Sequence, residues 1–197
     1  ADRRARRDRL LRRALADVPR SVPALTINDS LLYLEGIAVG ARTGAVYLTS
    51  LRQRAVLVRS RDGGVARIAL GADVGSVLGI AVAPDERTAW ITTAALPTLV
   101  PDTPAGTRAE LIELALPIGT VRRRWTLGDG SGTPGEIMRT RHGDILVSDG
   151  VHGALYRLPS GSSELHTIRH RLLRSPQGIA ESANGQFAWV ADWSTGL

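Results

Sequence analysis

The sequence predicts an all-β chain, a β-propeller of four-stranded antiparallel blades present as about three and a half units, behind a short N-terminal helix. Three observations predict it. A phrase recurs four times, as LEGIAV (34–39), VLGIAV (77–82), PGEIM (134–138) and PQGIA (176–180). Each copy passes through a turn carrying Gly, Pro or Asp into a second apolar run: AVYLTS (45–50), AWITT (89–93), DILVSD (144–149) and FAWVAD (187–192). A large apolar residue holds one place in that second run, in turn Tyr47, Trp90, Leu146 and Trp189. Aligned, the copies put Gly36, Gly79, Glu136 and Gly178 in one column, 43, 57 and 42 residues apart. A period of that size is one small β unit, repeated. Such a unit cannot bury its own faces and must stack on its neighbours, and radial stacking, which covers both faces of every sheet, fits a propeller better than a sandwich.

The chain opens on charge. Its formal net charge is +6, and all 25 basic residues are arginine. Seven of them stand in residues 1–13 against Asp2 and Asp8, which places +5 there and leaves +1 for the rest. Leu10, Leu11, Ala14 and Leu15 recur at near-helical spacing before Pro19, so residues 1–18 read as an Arg-rich helix or the end of an upstream region. A solvated helix is the plain reading of such a run. The alternative is contact with an acidic surface, but no aromatic residues are interleaved as a single-strand binder would need, and no specific nucleic-acid partner is expected. Residues 19–31 read as a linker, with the propeller spanning 32–197.

In the first unit GIAV, AVYLTS, AVLVRS and VARIAL are four short runs joined by GARTG, SLRQR and RDGG. Loops that short demand antiparallel neighbours. Runs such as GIAV and AVYL are apolar on both faces, as in a sheet covered on each side. The second unit is longer because ALPTLVPDTPAGTR (95–108), with three prolines and a glycine, enters between its second and third strands and is expected at the surface. The third repeats the design through EIMRT, ILVSD, ALYRL and ELHTI. The fourth reaches only its second strand before Leu197, fewer units than a closed ring requires.

Several chemistries are excluded. With 43% hydrophobic and 22% charged residues the chain has a globular composition, and it has no apolar run of membrane-spanning length. It opens on no secretory leader pattern, and its first residue is not Met, so neither secretion nor a cytoplasmic or periplasmic location is indicated. Without cysteine there is no disulfide, thiolate metal site or cysteine nucleophile. G-x-S-x-G, G-x-x-x-x-G-K-[ST] and H-E-x-x-H are absent. GDGSGTPG (128–135) is glycine-rich but precedes a strand, so it reads as a connection between blades rather than a phosphate loop. His142, His152, His166 and His170 lie at turns or among charges without ligand spacing and are expected to be exposed.

LEGIAVGARTGAVYLTSLRQRAVLVRSRDG resembles the first blade of the senescence-marker-protein/gluconolactonase-like (regucalcin-like) propellers, and SPQGIAESANGQFAWVADWSTGL resembles their PNGIA-type blade opening followed by a strand ending in Asp. The resemblance covers roughly residues 24–197, and strictosidine-synthase-like and NHL-type propellers share the strand pattern. It implies a six-bladed propeller with calcium or magnesium in the central channel, assisting hydrolysis of a sugar-type lactone. Glu35 matches the metal-binding Glu of the first blade. Gln177 stands where the family has Asn, offering an amide oxygen on a longer arm. Gly135 and Glu136 stand where the family has Asn-Asp for substrate contact, and the family's fifth-blade Asp would lie beyond Leu197.

Blade-opening residues line a propeller's axis, so carboxylate and amide oxygens about 40 residues apart converge there, and such donors suit calcium or magnesium better than zinc. The candidate metal ligands are therefore Glu35 and Gln177. Glu136, Asp149 and Asp192 are candidates for substrate contact, although an Asp at a strand end most often bonds turn amides. No residue is singled out as catalytic. Two functions remain: a metal-assisted lactonase or esterase-like hydrolase, and a non-catalytic propeller presenting its loops to a protein or ligand. Deleting residues 2–13 removes charge but almost none of the repeat's apolar columns. Heparin chromatography of the truncated chain is expected to show an unchanged fold and loss of salt-sensitive retention.

Overall fold

In the computed structural model the described residues are 5, 6, 8, 9, 12 and 26–196, and the chain divides into two units, Ala1–Ser30 and Leu31–Leu197. In the first, Ala5, Arg6, Asp8, Arg9 and Arg12 are helical. Leu10, Leu11, Ala14, Leu15 and Pro19, with most of the expected linker, lie outside the described residues. No helix among those described is long and apolar enough to cross a membrane.

The second unit is built of meanders. The first sheet runs β1 (Leu34–Val39), β2 (Val46–Ser50), β3 (Ala55–Arg59), β4 (Val65–Ala69), and the second β5 (Ser76–Val82), β6 (Thr88–Ala94), β7 (Glu110–Ala115), β8 (Thr120–Thr126). The third runs β9 (Pro134–Arg139), β10 (Ile145–Asp149), β11 (Ala154–Leu158), β12 (His166–Arg169). A two-stranded sheet of β13 (Pro176–Glu181) and β14 (Ala188–Asp192) follows. All neighbours pair antiparallel in sequence order. The architecture is that of part of a β-propeller, as the repeat predicts.

The covered sheets account for the apolar strands. Tyr47, Val56 and Ile68 of the first sheet pack with Val77, Ile80, Ile91, Ile112 and Leu114 of the second. From the opposite face of that sheet, Ala81 and Leu111, with Trp90 against them, pack with Ile137, Ile145, Val147, Tyr156 and Leu158 of the third. Ile91 and Trp90 thus point to different neighbours, which is why β6 carries no polar alternation. The column of large second-strand residues is core where a sheet lies beyond it: Tyr47 and Leu146 are buried, while Trp189 is 61% exposed beside Phe187. At the other end of the array Ile37 and Val39 of β1 are likewise exposed.

The 95–108 insertion departs from the expectation of a plain surface loop. Val100 is buried with Leu51, Leu78 and Ala94, and Arg54 Nη1, from the turn between β2 and β3, donates to the Asp102 carbonyl at 3.2 Å. The turn is anchored by an apolar root within a polar run, which composition alone does not reveal.

Each first strand carries an irregularity at one place. Pairing breaks between Leu34 and Ile37 in β1, between Val77 and Ile80 in β5, and between Pro176 and Ile179 in β13, and β9 has its break opposite Val147 and Asp149. These are bulges, and those of β1, β5 and β9 are held by hydroxyls from the second strand. Gly36 N–H donates to Thr49 Oγ1 at 2.7 Å, Gly79 N–H to Thr92 Oγ1 at 2.8 Å, and Glu136 N–H to Ser148 Oγ at 3.2 Å. Thr49 Oγ1 also donates to the Leu78 carbonyl, tying one unit's bulge to the next. Thr49, Thr92 and Ser148 are fully buried. Thr92→Val keeps the shape and strands the Gly79 N–H, so denaturant unfolding is expected to show a loss of about 1–3 kcal/mol.

Candidate functional site

The bulges decide which residues face the axis. An extra residue in one strand bends it and re-aims the side chains there, and here the four bulged segments surround one cavity of about 290 Å³. Its walls include Glu35 from β1, Leu78 from β5, Gly135 and Glu136 from β9, and Gln177 from β13, with Gly36, Gly79 and Gly178 between them. The glycine column reflects this close approach: a Cβ on Gly79 would stand 2.8 Å from the Gly135 carbonyl oxygen. Glu136 occupies the same column with a side chain that enters the cavity.

Three of the five residues singled out from the sequence, Glu35, Glu136 and Gln177, are thereby brought together although neighbours stand 101 and 41 positions apart in sequence. All three are open to solvent on one side. Gln177 Nε2 donates to Ser175 Oγ at 3.3 Å, which leaves its amide oxygen available. The walls around Glu136 desolvate its carboxyl and push it above the usual glutamate value, a backbone N–H opposing the effect; among the described residues no arginine or histidine counters it. Among the described residues no group of three or more His, Cys, Asp or Glu side chains is placed to hold a metal by itself.

Asp149 and Asp192 do not line the cavity. Asp149 ends β10 with its side chain wholly buried; Oδ1 accepts the amides of Thr133 at 3.2 Å, Val151 at 3.0 Å and His152 at 3.2 Å. Asp192 ends β14 and accepts four amides, from Arg174, Ser175, Ser194 and Thr195, at 2.8–3.0 Å. Desolvation pushes the Asp192 carboxyl up, but the four donors outweigh it and hold the group down to about 2. Both carboxylates fasten turns, the behaviour expected of Asp at a strand end.

His152 contradicts the expectation of four exposed histidines. Its side chain is only 20% exposed, and Nδ1 lies 2.8 Å from Asp149 Oδ2. His142, His166 and His170 are exposed as expected. The signal was the spacing: in DGVHG a His three residues after a strand-ending Asp is carried back over that carboxylate by the turn.

No family model matches this sequence, and no curated protein does. Among solved structures it is similar to a streptogramin B lyase, with a TM-score of 0.68 and 16% identity over 88% of this chain and 53% of that one. It is also similar to hydrazine synthase of Kuenenia stuttgartiensis, with a TM-score of 0.64 and 14% identity over 88% and 46% of the two chains. A functionally unknown protein of Desulfotomaculum acetoxidans gives a TM-score of 0.63 and 14% identity over 87% and 51%. The likeness is one of fold. The chain spans about half the length of these structures, as part of a propeller does.

The raised Glu136 carboxyl has a measurable sign. Because the folded chain holds that proton more tightly than the unfolded one, stability falls as pH rises from the usual glutamate range through Glu136's own higher value. Glu136→Gln is therefore expected to raise the melting temperature at pH 7 and to leave it unchanged at pH 3, as thermal unfolding at the two pH values reads directly.

Proposed function

We propose that the chain carries the axial site of a gluconolactonase-like hydrolase, in which Glu35, Glu136 and Gln177 hold a hard divalent cation and a small oxygen-rich substrate such as a lactone. The observation that supports this reading is the convergence of those three side chains, from three different units, on one cavity. The residues fit calcium or magnesium in donor chemistry: two carboxylates and an amide carbonyl, all hard oxygens. Glu136 adds a partly desolvated carboxyl that no cationic side chain among the described residues balances, a condition that a bound cation would relieve. Such a cation, when bound, polarises an ester carbonyl or acidifies a coordinated water.

The chain's own residues have separable tasks. Glu35 supplies charge at the open side of the cavity. Gln177 contributes a neutral oxygen, its amide fixed in sense by the bond from Nε2 to Ser175. Glu136, raised toward neutrality by its walls, is suited to exchange a proton with a hydroxyl or leaving alcohol near its carboxyl. A non-catalytic ligand-binding propeller is the second reading. It is favoured by Gly135, which brings no side chain where the resembled family places one, and by the presence of only two carboxylates.

Hard-cation sites depend strongly on ligand charge, so Glu35→Gln is expected to lower calcium or magnesium affinity at least about tenfold from a wild-type constant of about millimolar. Calorimetric titration of both forms is the measurement. Equal heats in the two, or none in either, would leave the binding-scaffold reading in place.

A further inference from the structure

The connection between the second and third sheets, GDGSGTPG, folds over the His152–Asp149 pair and brings a serine to it. Ser131 Oγ lies 3.3 Å from His152 Nε2, while His152 Nδ1 lies 2.8 Å from Asp149 Oδ2. The hydroxyl is on an exposed residue, the imidazole is 20% exposed and the carboxylate is fully buried. That is the order of access needed by a nucleophile, its base and the group that orients the base. Such a constellation is recognised by geometry and roles, not by a sequence motif or a particular fold.

The surroundings are shaped around this contact. A Cβ at Gly132 would run into Asp149 Oδ2 and stand 2.8 Å from His152 Nδ1, so only glycine lets the loop close over the pair. Gly128, at φ +59°, brings the loop against the Tyr156 hydroxyl, which donates to Asp149 Oδ2 at 3.4 Å. Burial, with Asp149 beside it, pushes that phenol up to about 12, so it stays a neutral donor. Asp149, already fixed by three amides, cannot swing away from the ring. The carboxylate thus orients the ring through Nδ1, and Nε2 faces Ser131 Oγ and Asp129 Oδ1, each at 3.3 Å. The residue after the nucleophile is Gly132, whose backbone N–H no acceptor among the described residues takes up, and it can stabilise an oxyanion there. In the resting state the Ser131 hydroxyl donates to Asp129 Oδ1 at 2.7 Å, a bond that water competes for because the Asp129 side chain is 71% exposed.

We infer that Ser131, His152 and Asp149 form a second site, apart from the axial cavity, that performs acyl transfer on small esters. Ser131 Oγ attacks the ester carbonyl carbon while its proton passes to His152 Nε2. The carbon–oxygen bond to the alcohol then breaks and the alcohol leaves with that proton, giving an ester on Ser131. Water attacks this ester, loses a proton to His152 Nε2 and releases the acid, and the proton returns to Ser131 Oγ. Asp149 is the positioning residue, acting only through the imidazole.

A fluorophosphonate probe tests this on the intact chain, because it forms a phosphorus–oxygen bond to an activated serine and expels fluoride. Peptide mass mapping is expected to find one adduct per chain, on Ser131, whose formation is unaffected by a chelator. Ser131→Ala should abolish it, and His152→Gln should slow it at least about 100-fold with an unchanged melting temperature. In Asp149→Asn, which keeps the turn's acceptor oxygen but removes the anion that orients the imidazole, labelling of Ser131 should slow. No adduct, an adduct on another residue, or a Ser131 adduct formed equally fast in His152→Gln would overturn the proposal and reduce the trio to a fastening of the turn.

Discussion

A backbone N–H caught by a hydroxyl of the neighbouring strand is the interaction on which this array depends. In three successive units the first strand bulges, and Thr49, Thr92 or Ser148 takes up the amide that the bulge frees. A buried amide without a partner is costly, so the bulge persists only where the hydroxyl is supplied. Its persistence determines which side chains leave the sheet toward the axis. The candidate cavity and its oxygen donors follow from that one contact.

The sheets, by contrast, are held by their neighbours rather than by themselves. The second sheet is covered on both faces, by Tyr47 and Ile68 on one side and by Ile137 and Val147 on the other. This two-sided burial is why strands were legible as unbroken apolar runs, and why the repeat of VLGIAV and its relatives announced the fold so clearly. Strand edges were legible to within a residue or two where the run was apolar, as in β3 and β11. They were less so in β12, where ELHTI was expected and His166–Arg169 pairs, because a strand exposed along its whole length has no burial to fix its ends. The apolar root of the 95–108 insertion was illegible for a related reason: Val100 packs on Leu51 of the preceding blade and on Leu78, far from it in sequence.

Of the candidate site, the positions were legible and the roles only partly so. Glu35, Glu136 and Gln177 could be placed on one axis because the repeat aligns them, whatever their chemistry. Asp149 and Asp192 shared a column too, but a column does not tell whether a carboxylate is turned to solvent or to amides. His152 and Ser131 were missed because nothing repeats them: the corresponding place in the fourth unit holds Thr195, and the contact is made by a loop whose path depends on glycines at 128 and 132. Repetition reveals the scaffold, and singular residues escape it.

The fourth unit breaks the hydroxyl column. Where the others have Thr49, Thr92 and Ser148, the matching position before Asp192 is Ala191, so the bulge carrying Gln177 and Gly178 lacks the clasp its counterparts have. The Gln177 wall of the cavity therefore rests on strand pairing alone, where the other three are also clasped by a buried hydroxyl.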